Sequence, residues 1–166
     1  RFFYLLVSLV AAYFVRQFLS AFYLQFSRFI NHHYIFEDLL SVISISGEST
    51  ILTTYFSFIS VVIFGPILEE IVHRGYFMNT FFPKSKYYLD VILSALIFGL
   101  SHLILSHRDP ISLMVYSFFG LFFALVYRWT KNLKITILCH IFINFLIHAD
   151  FIWLLLSNLI YDRFFR

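Results

Sequence analysis

Gly65-Pro66-Ile67-Leu68-Glu69-Glu70-Ile71-Val72-His73-Arg74 lies inside an apolar run that extends from about residue 51 to about residue 82. Two carboxylates, an imidazole and a guanidinium stand in sequence otherwise suited to hydrocarbon. An ionisable residue costs about 2.5–3.5 kcal/mol at a bilayer centre on insertion scales, so such residues mark a functional site by default. The stretch admits two readings: a soluble helix with a charged face, or a membrane span built around a polar site.

Composition selects the second. Of the 166 residues, 61% are hydrophobic and only 13% are charged, with 24 Phe and 11 Tyr. A soluble domain averages about 45–50% apolar and about 25% charged residues. The length accommodates about six spans of roughly 20 residues with short loops, and no separate soluble domain. The net charge is +3, but the basic residues cluster at segment ends and line no polar face. That distribution excludes nucleic acid as a partner and leaves the lipid bilayer. Cys139 is the single cysteine, so an internal disulfide is impossible. The chain starts at Arg1 without Met, as a fragment would. Its first apolar run reads as a retained anchor and not as a cleaved signal peptide.

The expected fold is an all-α, polytopic membrane helix bundle, one integral membrane domain over residues 1–166. Hydropathy places spans at 2–28, 51–82, 89–106, 111–127 and 133–149, with a short sixth at 151–161. A polar stretch, Asn31 to Thr50, separates the first two. Lys84, Lys86, Arg128, Lys131, Lys134, Arg163 and Arg166 fall on one side if the spans alternate, and Arg1 joins them. The positive-inside rule then puts both termini in the cytoplasm. Arg16 and Arg28 fit this pattern less well. The second span exceeds the roughly 20 residues needed to cross hydrocarbon. Gly65-Pro66 predicts a kink just before Glu69, with irregular backbone lining a polar cavity.

Two further strings sit in other spans: Phe98-Gly99-Leu100-Ser101-His102, and His140-Ile141-Phe142-Ile143-Asn144. Glu70 and Arg74 are four apart and share a helix face, as do Glu69 and His73, and His140 and Asn144. Adjacent Glu69 and Glu70 stand about 100° apart, so one can pair with Arg74 while the other faces elsewhere. At about 1.5 Å per residue the three strings reach overlapping depths, roughly 10–20 Å from the cytoplasmic edge. A polar cavity between spans two, three and five is the expected result.

A carboxylate beside an imidazole in a low-dielectric cavity activates water as a general base. A second imidazole with a carboxamide one turn away donates to one developing oxyanion. An arginine holds a neighbouring carboxylate ionised. This inventory suits amide hydrolysis without a covalent intermediate. The bland readings are a structural Glu70–Arg74 pair and a His102 that only bonds a neighbouring helix. His73 reads as a supporting or structural residue. His32, His33, His107 and His148 read as interfacial, and the aromatic excess as lipid-facing packing. Cys139 and His140 are adjacent and point apart, so they form no dyad.

The strings resemble the three motifs of the CPBP family, the CAAX protease and bacteriocin-processing family also called Abi. Glu69, Glu70 and Arg74 fill its first motif, Phe98 and His102 its second, His140 and Asn144 its third. The likeness covers about residues 51–150. It implies a glutamate-dependent intramembrane endopeptidase acting on a membrane-associated peptide or protein. By that analogy Glu69 and His102 activate the water, His140 and Asn144 form the oxyanion hole, and Glu70 with Arg74 supports the site. The short, loop-poor form resembles bacterial members of the family, which implies a bacterial plasma membrane.

No cofactor is expected. The sequence lacks a His-Glu-x-x-His signature, although Glu69, His102 and His140 offer a conceivable three-ligand zinc set. Two other classes compete with proteolysis. One is a non-catalytic immunity or regulatory partner that keeps the cluster as glue. The other is a small proton-coupled carrier, against which the lack of paired broken helices counts. Nothing in the sequence sets an oligomeric state or says whether substrates are prenylated.

Overall fold

The structure is a computed structural model that describes residues 1–29, 51–83, 85, 87–105, 110–149 and 153. The polar 31–50 stretch, His107 and all but residue 153 of the expected sixth span lie outside the described residues. Long apolar segments in a bilayer satisfy their own backbone groups only as helices or closed barrels. Among the described residues there is no strand. The chain is an all-α membrane helix bundle.

Among the described residues five long helical elements follow in order. They are α1 (Phe2–Phe29), a continuous helical run α2 over residues 51–81, α3 (Leu89–Leu105), α4 (Pro110–Thr130) and α5 (Leu133–Ile147). Segments Phe2–Phe26, Tyr55–Phe81 and Pro110–Thr130 are long and apolar enough to cross a membrane; Leu89–Ile104 and Leu133–Ile147 are shorter apolar helices.

α3 and α4 form the tightest seam of the bundle. Without a hydrophobic driving force inside lipid, close helix contact depends on small residues. A Cβ on Gly99 would stand 2.1 Å from Ser117 Oγ and 2.9 Å from the Leu113 carbonyl oxygen. One on Gly120 would stand 3.0 Å from Ala95 backbone atoms. These two glycines let the backbones approach. α4 also meets α1 and α5, and Phe98, Phe119, Phe123, Cys139, Ile143, Ala12 and Leu19 share one core. The opposite faces, including Phe14, Phe18, Leu68 and Ile104, are exposed, as lipid-facing surface should be.

The expected kink at Gly65-Pro66 is not a break. Two π-helical stretches, Ser60–Phe64 and Ile71–Met78, flank an α-helical turn, Gly65–Glu70. Gly65 itself keeps right-handed helical angles, φ −55° and ψ −58°. Proline inside a helix costs about 3 kcal/mol because it removes a donor and its ring strikes the carbonyl four residues back. Widening the preceding turn relieves that clash without ending the helix. The Gly65 N–H accordingly bonds the Ser60 carbonyl, five residues back.

Polar side chains fasten the end of α2 and the turn after it. Asn79 Nδ2 lies 3.1 Å from the Arg74 carbonyl oxygen, 2.8 Å from that of Gly75 and 2.7 Å from the Tyr127 hydroxyl on α4. Arg128, also on α4, pairs with Asp90 and donates to the Ser85 carbonyl at 3.1 Å. Its guanidinium lies 3.9 Å from the Tyr88 ring centroid. The turn between α2 and α3 is thus tied to the end of α4. Arg16, awkward on α1 by the charge pattern, donates to the Leu146 carbonyl at 3.2 Å, in the last turn of α5. A cation suits that end of a helix.

Candidate active site

The α-helical turn Gly65–Glu70 presents its two glutamates differently. Glu70 is fully buried, whereas the Glu69 side chain is 35% exposed. One Glu70 oxygen, Oε1, accepts from Arg74 Nη1 at 3.0 Å and from His140 Nδ1 at 2.9 Å. Arg74, also fully buried, donates its Nη2 to the Gly120 carbonyl at 2.7 Å. The pair is therefore anchored to α4 as well as to α5. The i,i+4 spacing of Glu70 and Arg74 made their pairing legible in the sequence; the Gly120 carbonyl carried no such signal. A lone glycine among bulky residues, Phe118-Phe119-Gly120-Leu121-Phe122, is the cue that marks a close backbone approach.

His140 joins the two glutamates. Its Nε2 faces Glu69 Oε2 at 3.7 Å, too long for a direct hydrogen bond. Both faces of its neighbourhood are aromatic: Phe123 stacks on the imidazole at 4.3 Å, and Phe98 lies 5.7 Å away. His140 Nδ1 donates to Glu70, and Nε2 is the nitrogen left facing Glu69.

Phe98 is the hub that links the second string to the first. Arg74 Cζ lies 4.9 Å from its ring centroid, and the His73 and His102 rings lie at 5.3 and 4.6 Å. His102 Nδ1 is 3.0 Å from the Phe98 carbonyl oxygen. A carbonyl only accepts, so Nδ1 is the donor in this contact. Tyr116 stacks on the same imidazole at 4.1 Å and 17°. The Phe98 carbonyl and the Tyr116 ring together hold the ring plane of His102. Phe98 appeared in the sequence only as a motif letter, and Tyr116 and Phe123 not at all, since aromatic residues are too common here to stand out.

Asn144, one turn along α5 from His140, donates its Nδ2 to the Val61 carbonyl at 3.0 Å. His73 is buried, and its carbonyl accepts from Ser94 Oγ at 3.4 Å. Glu69 turns to His140, although its i,i+4 spacing had placed it beside His73. Cys139 is fully buried in the apolar core, away from the charged face that its neighbour His140 presents. The structure thus gathers Glu69, Glu70, Arg74 and His140 into one cluster. His102 is attached to it through Phe98, and Asn144 is turned to the backbone of α2.

A zinc ion needs three protein ligands converging on one point. Among the described residues no three His, Cys, Asp or Glu side chains are grouped to hold a metal. No step is derived through a metal ion.

The sequence pattern of the family described as "Type II CAAX prenyl endopeptidase Rce1-like" matches residues 51–146. The chain is 34% identical over 82 residues to "Putative membrane peptidase YdiL" of Bacillus subtilis (strain 168), covering 49% of this chain and 32% of that protein. It is 33% identical over 93 residues to "Membrane-embedded CAAX protease MroQ" of Staphylococcus aureus (strain USA300), covering 52% and 35%. The chain spans about a third of the length of these curated relatives. No solved structure matches it.

Proposed function

The chain belongs to the Rce1-like family of type II CAAX prenyl endopeptidases, and from that premise we propose that it is an intramembrane endopeptidase. Its substrate is a membrane-associated peptide or protein. The observation that carries this reading is the contrast between the two glutamates. Glu70 is sealed between Arg74 and His140, while Glu69 joins the same cluster yet stays 35% exposed. A structural pair has no need of the exposed partner; a general base does, because it must meet water and substrate.

The chemistry follows from the donors and acceptors. A water held between Glu69 and His102 gives up a proton to Glu69 and attacks the scissile carbonyl. The carbon–nitrogen double-bond character is lost, and a tetrahedral oxyanion forms. His140, doubly protonated and steered by Glu70, donates from Nε2 to that oxygen, and Asn144 donates its second N–H. Collapse of the intermediate breaks the C–N bond, and Glu69 hands the proton to the leaving amine. Arg74 and the Gly120 carbonyl keep Glu70 in place throughout. We place the chain in a bacterial plasma membrane with both termini cytoplasmic, so that the site opens towards cytoplasmic tails.

A second reading is supported by the same contacts. Glu70, Arg74, His140 and Asn144 all have partners within the chain, as the glue of a non-catalytic immunity or regulatory protein would. Wild type and Glu69→Gln, compared in liposomes against prenylated and unprenylated peptides by mass spectrometry, separate the two. The protease loses at least about a thousandfold in rate in the variant, the scale on which key catalytic groups act, and chelator changes nothing. Equal activity of both proteins in cleavage and in a cellular assay removes Glu69 from catalysis and leaves the partner reading.

A further inference from the structure

The carbonyl that Asn144 holds belongs to none of the three strings. In the first π stretch the Gly65 N–H bonds the Ser60 carbonyl, five residues back. The next donor in that register is the nitrogen of residue 66, and Pro66 has no hydrogen to give. The carbonyl left over is that of Val61. Asn144 Nδ2 donates to it from α5, 83 residues away in sequence, at 3.0 Å. The Val61 side chain points outward and is 40% exposed, so only its backbone takes part.

We infer that Pro66 is a positioning residue. By withholding an N–H it leaves the Val61 carbonyl as a fixed acceptor, and that acceptor aims the Asn144 carboxamide at the developing oxyanion. The inference rests on the protease reading. A carboxamide nitrogen carries two hydrogens; Val61 takes one, and the planarity of the amide then sets the direction of the other. Unanchored, the terminal torsion of Asn is broad, and the second N–H would sweep across the cavity. A donor already aimed at the oxyanion needs no reorganisation when charge develops.

Pro66→Ala supplies the missing N–H and so a competitor for the Val61 carbonyl. A purely structural proline predicts a firmer helix and unchanged turnover after this change. Positioning predicts a melting temperature equal or higher, with kcat lower by about tenfold and KM within about twofold, part of the loss expected for one oxyanion donor. The probes are a farnesylated CAAX-type peptide and its unprenylated form, in liposomes. The side-chain amide signal of Asn144, assigned by its loss in Asn144→Ser, moves in Pro66→Ala. An unmoved signal overturns the inference, as does a moved signal with unchanged kcat. If wild type cleaves neither peptide while the signal moves, the protease reading falls and the Pro66–Asn144 linkage stands. Should Pro66→Ala not fold, the α-hydroxy analogue of valine at position 62 keeps Pro66 and turns the Val61 carbonyl into a weaker ester acceptor. It should lower kcat likewise; an unchanged kcat there counts against the inference.

Discussion

Glu70 and Arg74 are both fully buried, and in a bundle surrounded by lipid neither has water to fall back on. Removing one member of a buried pair strands the other charge, at a cost of about 3–5 kcal/mol. Arg74→Met should therefore lower stability in detergent by that order, read as a depressed melting temperature. Glu70→Gln in the same chain should recover much of the loss, because the stranded carboxylate is then gone. A variant pair whose losses simply add would show that the two residues are not coupled. At this scale the site was partly legible. Side chain–side chain pairs at i,i+4 announce themselves in sequence, so Glu70–Arg74 was foreseeable. Acceptors that are backbone carbonyls, at Gly120 and Val61, have no residue-type signature and became visible only in three dimensions. The partner of Asn144 was beyond reach for that reason.

Helix boundaries were the easier level. The described ends of α1, α3, α4 and α5 fall within a few residues of the hydropathy reading, because the hydrocarbon imposes length and polarity from outside. What hydropathy cannot supply is which faces meet, since lipid-facing and helix-facing side chains are equally apolar. The α3–α4 seam shows the point: it turns on Gly99 and Gly120, two positions where size matters and polarity does not. Gly99→Ala would place a methyl 2.9 Å from the Leu113 carbonyl oxygen, a backbone atom, as well as 2.1 Å from Ser117 Oγ. Ser117 Oγ can rotate aside but the backbone cannot, so the helices must part. Overpacking of this kind costs about 1–3 kcal/mol, measurable as a lower melting temperature. Because Gly120 also offers its carbonyl to Arg74, the same variant should weaken cleavage more than its stability alone explains.

For the molecule as a whole, the arrangement of charge along the sequence predicts an orientation, and Cys139 provides the means to test it. That thiol is fully buried, so residues 1–166 already form a silent background for labelling. Lys131, at the exposed turn between α4 and α5, is expected on the cytoplasmic side. Lys131→Cys should react with a membrane-impermeant maleimide in inverted vesicles and stay unlabelled in intact cells. The opposite pattern would reverse the topology and carry the opening of the site to the other face. The short helices α3 and α5 bear His102, His140 and Asn144. At about 1.5 Å per residue, the 17 and 15 residues of α3 and α5 fall short of a hydrocarbon thickness of roughly 30 Å. A bilayer meeting such short elements thins locally, which brings aqueous reactants nearer to a site otherwise set deep in oil.

The π stretches in α2 carry one more implication, for how such a chain can change over generations. A π turn is an α-helix holding one residue beyond what its pitch requires. Losing a single codon within Ser60–Phe64 or Ile71–Met78 would therefore restore ordinary pitch and leave the helix whole. The segments before and after the lost residue would keep nearly the same facing, because five residues at π pitch turn about as far as four at α pitch. What such an event removes is the local widening beside Pro66 or below the glutamates, while the helix and its packing faces survive.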